Sequence, residues 1–166
     1  DAFAPYLPAG LLGRIAGDPH AAGQEGEHRL AAVLFANVRG LGEIADRLGP
    51  GREEQIVAAL NHYFIAMGNA IHRFGGIVNK MDLYDWGDKL LAFFGAPVAH
   101  EDDAARAVRA ALAMQEAMNE VSCSLPTYAG LPAVCLGQHI GISYGYVFAG
   151  YVGTSWRREY TGMGDE

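Results

Sequence analysis

Cysteine is nearly absent from this sequence. Cys123 and Cys135 are the only two in 166 residues, and they lack metal-motif spacing. That argues against a disulfide framework or a zinc site, and predicts free, packed thiols in a reducing cytosol. Basic charge is also scarce. Twelve Lys and Arg stand against nineteen Asp and Glu, a net charge of −7. Such a balance speaks against a nucleic-acid or anionic-membrane surface, since both require a basic patch. No apolar run approaches the roughly 20 residues of a membrane span, and no signal peptide is visible. Six histidines are scattered without a helical metal pair, so His62 and His72 read as ordinary. Neither an internal repeat nor a low-complexity tract occurs.

What is present suits one core. Hydrophobic residues make up 51% of the chain, enough for a single domain of this length. The first residue is Asp1 rather than Met, which suggests a piece of a longer protein. Residues 1–27, rich in Pro, Gly and Ala, predict a short helix at Leu11–Ile15 and then a linker from a preceding region. Leu30 to Ala36 is a continuous apolar run, the pattern of a strand buried on both faces. A Gly-containing turn at 37–42 then leads into a helix. From Arg52 to Phe74, Ile56, Leu60, Tyr63, Phe64, Met67, Ile71 and Phe74 recur in steps of one helical face. A second amphipathic helix carries Ala104, Val108, Ala111, Leu112, Gln115 and Met118. The acids Glu101, Asp102 and Asp103 before it complement the helix dipole. Residues 122–132 read as a loop. Val134–Ser143 and Tyr146–Ala149 read as strands around a Tyr144-Gly145 turn, with a last strand near Glu159–Met163.

Between the helices lies the most informative stretch, Gly75 to Pro97. Gly75-Gly76 and Trp86-Gly87-Asp88 bracket two β-forming runs, the signature of a hairpin with a long polar tip. The tip carries Lys80, Asp82, Asp85 and Asp88; Asp82 and Asp85 read as solvating it. Strand, helix, hairpin, helix, hairpin is an α+β order. It predicts a ferredoxin-like sandwich, a mostly antiparallel sheet with helices packed on one face.

Four stretches together carry a resemblance: AVLFANVRG at 32–40, GGIVNK at 75–80, GDKLLAFFGAPVAHEDDAARAVRAALAMQ at 87–115, and HIGISYGYVFAGYVGTSWRREYTGMGD at 139–165. In this order they resemble the catalytic domain of class III adenylyl and guanylyl cyclases, over about residues 28–166. The resemblance implies a dimer whose sites form between subunits. Two aspartates of one subunit hold two Mg²⁺ or Mn²⁺ ions, and the other subunit reads the base. The ions would bind the triphosphate and activate the ribose 3′-hydroxyl for attack on the α-phosphorus.

Carried over residue by residue, the match is uneven. The first metal aspartate is Asn37 here, an uncharged ligand where Mg²⁺ favours carboxylates. The second corresponds to Asp88 by its Gly-Asp motif. It lies eight positions after Lys80 rather than the family's four, which implies a four-residue insertion. On the base-reading side, Lys80 matches the family's lysine and can donate to adenine N1. Thr161 matches the adenine-side polar residue, and Gly162 replaces the usual Val beside it. The family's ribose Asn and transition-state Arg would lie beyond Glu166, so the cyclase domain is expected to be C-terminally truncated. Asn37 together with the insertion most resembles the second, metal-poor cyclase half of bicarbonate-responsive soluble adenylyl cyclases. The implied role is a cytoplasmic signalling domain that supplies the base-reading half of a composite ATP site, partnered by a metal-bearing cyclase domain. The alternative is a pseudo-cyclase that dimerises or senses a nucleotide without turnover.

Overall fold

The computed structural model describes residues 26–82, 89–154, 156 and 158–163. Its elements are β1 (Glu27–Arg39), α1 (Leu41–Leu48), α2 (Glu53–Arg73), β2 (Ile77–Asp82), β3 (Lys89–Phe94), α3 (Asp103–Ala129), β4 (Gly137–Gly153) and β5 (Arg158–Met163). The strands form one antiparallel sheet in the order β2-β3-β1-β4-β5. The first four strands have the expected ferredoxin-like arrangement, with β5 added beyond β4. No helix among the described residues is long and apolar enough to cross a membrane.

The main core lies between one sheet face and the helices. Leu34, Ala36 and Val38 of β1 and Leu90, Ala92 and Phe94 of β3 meet Tyr63, Met67 and Ile71 of α2 and Met114, Val121 and Leu125 of α3. The polar group buried among them is satisfied on both sides. Gln138 accepts a hydrogen bond from the Tyr63 hydroxyl at 3.2 Å and donates one to the Met114 carbonyl at 2.7 Å, tying β4 to both long helices.

Several expectations need correction. β1 is not covered by helices on both faces: Phe35, on the face away from them, remains 51% exposed. Its unbroken apolar run reflects a second, smaller cluster on the far face rather than helices on both sides. The expected loop at 122–132 is mostly helix, because α3 continues through Pro126 to Ala129. Val121 and Leu125 extend the spacing of Met114 and Met118, and burying them outweighs one lost amide donor near the helix end. Tyr144-Gly145 is not a turn. Both residues pair within the long β1–β4 ladder, opposite Ala32 and Ala31. The hairpin instead reverses between Gly153 and Arg158. Both cysteines are exposed rather than packed. The predicted helix and linker at 1–27 fall outside the described residues up to 25, and Glu27 already belongs to β1.

The acids before α3 serve the fold. Asp103 is buried and accepts the His100 backbone N–H at 2.7 Å, closing the loop that follows β3. Asp102 hydrogen-bonds Arg106 at 2.6 Å, which holds its carboxyl below the ordinary range.

Gly76, where α2 hands over to β2, is pressed against the core. A Cβ there would lie 2.5 Å from the Phe94 ring and 2.8 Å from Ile71 Cγ2. Gly76→Ala should lower the unfolding free energy by about 1–3 kcal/mol through overpacking. Gly42→Ala in α1, where the added methyl meets nothing within 4 Å, should raise it by up to about 1 kcal/mol. Urea titrations of both variants check the opposite signs.

Candidate functional site

By cross-strand register Lys80, Gly162 and Asn37 lie on the sheet face away from the helices, whereas Thr161 alternates to the reverse of β5 from Tyr160 and Gly162. A curl in the sheet brings its edges together. β2 and β5 stand at opposite edges of the strand order, yet they meet. Asn79 Nδ2 of β2 donates to the Tyr160 carbonyl of β5 at 2.6 Å. Contact between the outer strands requires the β4–β5 hairpin to fold back across the open face. A small apolar cluster fills the space beneath it: Phe93, Ala96, Ala149 and Tyr160, flanked by Val33, Ile77, Leu91 and Tyr151. Gly162 is part of this closure. A Cβ at that position would lie 2.8 Å from Phe93 Cζ, so the aromatic ring occupies the space a branched side chain would need.

A β-bulge decides where Lys80 points. Ile77 pairs with Phe93 and Val78 with Ala92, but Lys80 pairs with Leu91, so Asn79 is the extra residue. In an unbulged ladder Lys80 would stand opposite Leu90, which is fully buried under the helices. The bulge shifts Lys80 onto the open face, opposite Leu91. It also sets Asp82 opposite Lys89. Lys80 and Thr161 are thus the immediate chain neighbours of the two tied residues, Asn79 and Tyr160, and both are partly exposed. Thr161 stands opposite Gly150, which adds no side chain beside it.

Asn37 lies on the same open face, farther along β1. Its cross-strand neighbours are Lys89 on β3 and His139 on β4. Directly paired side chains sit about 5 Å apart at Cβ, which sets a lysine rather than a carboxylate across from the amide. A divalent cation needs anionic oxygens, and the two residues paired with Asn37 supply none. Among the described residues no group of three or more His, Cys, Asp or Glu could hold a metal ion. The described residues therefore do not fit a two-metal centre. Asp85 and Asp88 lie outside the described residues.

Sequence reading missed Asn79 and Phe93. A signal for the first was available, since Asn is poorly suited to a regular strand and stands directly before Lys80. Phe93 reads from sequence as ordinary core, and only the fold-back of β5 places it under Gly162.

The family model of the adenylate and guanylate cyclase catalytic domain matches residues 24–165. An uncharacterized protein of Mycobacterium tuberculosis, Rv1319c, is 35% identical over 163 residues, covering 93% of this chain and 27% of the relative. Adenylate cyclase 1 of Rhizobium meliloti is 29% identical over 163 residues, covering 98% of this chain and 23% of that protein. The chain thus spans about a quarter of the length of these curated relatives. Among solved structures, the guanylyl cyclase Cya2 superposes with a TM-score of 0.72 at 33% identity, over 86% of this chain and 67% of that one. The adenylyl cyclase CyaB from P. aeruginosa gives 0.72 at 28%, over 86% and 69%. Motif order, a curled antiparallel sheet with helices on one face and a family match over most of the chain agree, and the chain belongs to the class III adenylyl and guanylyl cyclase catalytic domains.

Proposed function

We propose that this domain supplies the base-reading half of a composite adenylyl cyclase site and relies on a metal-bearing cyclase domain for the other half. One observation carries the reading: the open face presents Lys80 beside the Asn79–Tyr160 tie, while the first metal position is an amide paired with Lys89. The relatives include both adenylyl and guanylyl cyclases, so the choice of base rests on this chain's own residues. A lysine ammonium donates to adenine N1, which accepts, whereas guanine carries a hydrogen at N1. A threonine hydroxyl can both donate and accept beside it. Phe93, whose ring packs where a side chain at 162 would stand, supplies an apolar group in place of the family's Val.

The partner's Mg²⁺ or Mn²⁺ would polarise the triphosphate; this chain's part is to bind and orient the base. Asn37 and the insertion before Asp88 ally it with the second half of bicarbonate-responsive soluble adenylyl cyclases. A cytoplasmic protein with both halves is the natural setting, with ATP and the second cyclase domain as its partners. Lys89 beside Asn37 also favours the second reading, a pseudo-cyclase that dimerises or senses nucleotide without turnover.

The isolated chain should form no appreciable cyclic AMP with Mg²⁺ or Mn²⁺, and Asn37→Asp alone should not change that, because Lys89 still faces the new carboxylate. Robust turnover by either protein in a cyclic-nucleotide assay would defeat the assignment. In the composite with a metal-bearing domain, Lys80→Ala should cost on the order of 1.5–3 kcal/mol in kcat/KM through one lost charge-assisted contact. Asn37→Ala should leave turnover nearly unchanged. Steady-state kinetics of the two variants separate the readings: losses confined to Asn37→Ala would reverse the roles, and an inactive composite would favour the pseudo-cyclase.

A further inference from the structure

We propose that Asn79 is the positioning residue of the nucleotide-base pocket: its bulge aims Lys80, and its side chain fastens the strand that carries Lys80 to β5. The inference rests on the composite-site reading and deepens it.

Two independent features meet at this residue. The first is its backbone. As the extra residue of the β2–β3 ladder, Asn79 changes the pairing of everything after it by one, which moves Lys80 from the helix-covered face to the open one. The second is its side chain. Nδ2 reaches the Tyr160 carbonyl at 2.6 Å across strands that share no ladder. That bond joins the chain one residue from Lys80, so the backbone that presents the lysine is held to β5 by a single short bond.

The side chain is costly in any other role. Its Oδ1 is buried and has no hydrogen-bond partner among the described residues. A buried unpaired acceptor is destabilising. An aliphatic side chain would avoid that cost, and would pack beside the Phe93–Tyr160 cluster, but would leave the Tyr160 carbonyl without this donor. Stability alone therefore argues against an amide here, whereas holding the strand that presents Lys80 calls for its N–H.

The loss of such a tie should be read in substrate affinity and base choice. The chemical step depends on metals held by the other domain. In the composite of this domain, continued past Glu166 through the family's Asn and Arg positions, with a metal-bearing cyclase domain, Asn79→Asp keeps the shape and removes the donor, opposing a carboxylate to a carbonyl. It should raise KM for ATP roughly tenfold and reduce the preference for ATP over GTP, with kcat changed by less than about twofold. Asn79→Ala removes the donor without adding charge and decides the matter if the aspartate variant does not fold. Asn79→Gln, which retains an N–H on a longer arm, should recover part of the affinity. Thermal unfolding is followed on the same proteins. A lowered melting temperature with unchanged KM and base preference would show a merely structural bond and overturn the proposal; so would equal, proportionate losses in kcat and kcat/KM. Lys80→Ala, run alongside, distinguishes the two levels. If it weakens ATP use while the Asn79 variants do not, positioning by Asn79 fails alone. If Lys80→Ala has no effect, the base-reading function itself fails.

Discussion

An antiparallel sheet with helices on one side must do something with its other side. Here the β4–β5 hairpin folds back over it, and that fold-back is the constraint on which the site depends. It creates the second apolar cluster around Phe93 and Tyr160 and brings the two outermost strands into hydrogen-bond contact. It also requires glycine at 162, because β5 runs directly over the Phe93 ring. Burying a phenylalanine of this kind is worth about 1.5–3 kcal/mol. The closure is therefore a modest local arrangement on top of the main core, and a few contacts decide its geometry.

The open face divides into two chemical regions along β1. Toward Lys80 it is polar, partly exposed and bordered by apolar rings. Toward Asn37 the row across the sheet runs Asp82, Lys89, Asn37 and His139. That row holds one carboxylate, and it is paired with a lysine. On the proposed reading the domain contributes donors to the base and leaves clustered carboxylates to its partner.

Much of the fold was legible in the sequence. The steps of three and four through Ile56–Phe74 gave α2, Gly75-Gly76 gave the start of the β2–β3 hairpin, and the order of elements gave the sandwich. Where local signals failed, longer-range packing had overridden them. Tyr144-Gly145 carries turn chemistry but lies inside a ladder of thirteen paired residues with β1. Pro126 is a helix breaker but precedes no gap in the apolar stripe ending at Leu125. The site was legible as residues, through motifs, and not as geometry. Which face Lys80 occupies turns on one extra residue in one strand, and a bulge leaves no periodic trace when its neighbours Val78 and Met81 are apolar on either side.

The central claim is that this domain contributes a nucleotide-base pocket and no metals. Complementation measures it most directly. A metal-bearing adenylyl cyclase domain whose own base-reading lysine has been replaced is inactive with itself; this domain, continued past Glu166 through the family's Asn and Arg positions, is then added at increasing concentration with Mg²⁺ and ATP. Cyclic AMP production should appear, saturate at equimolar chains and vanish when the aspartates of the metal-bearing domain are replaced. Failure to restore activity, despite a dimer confirmed by sedimentation, would contradict the account, as would activity that survives loss of the partner's aspartates.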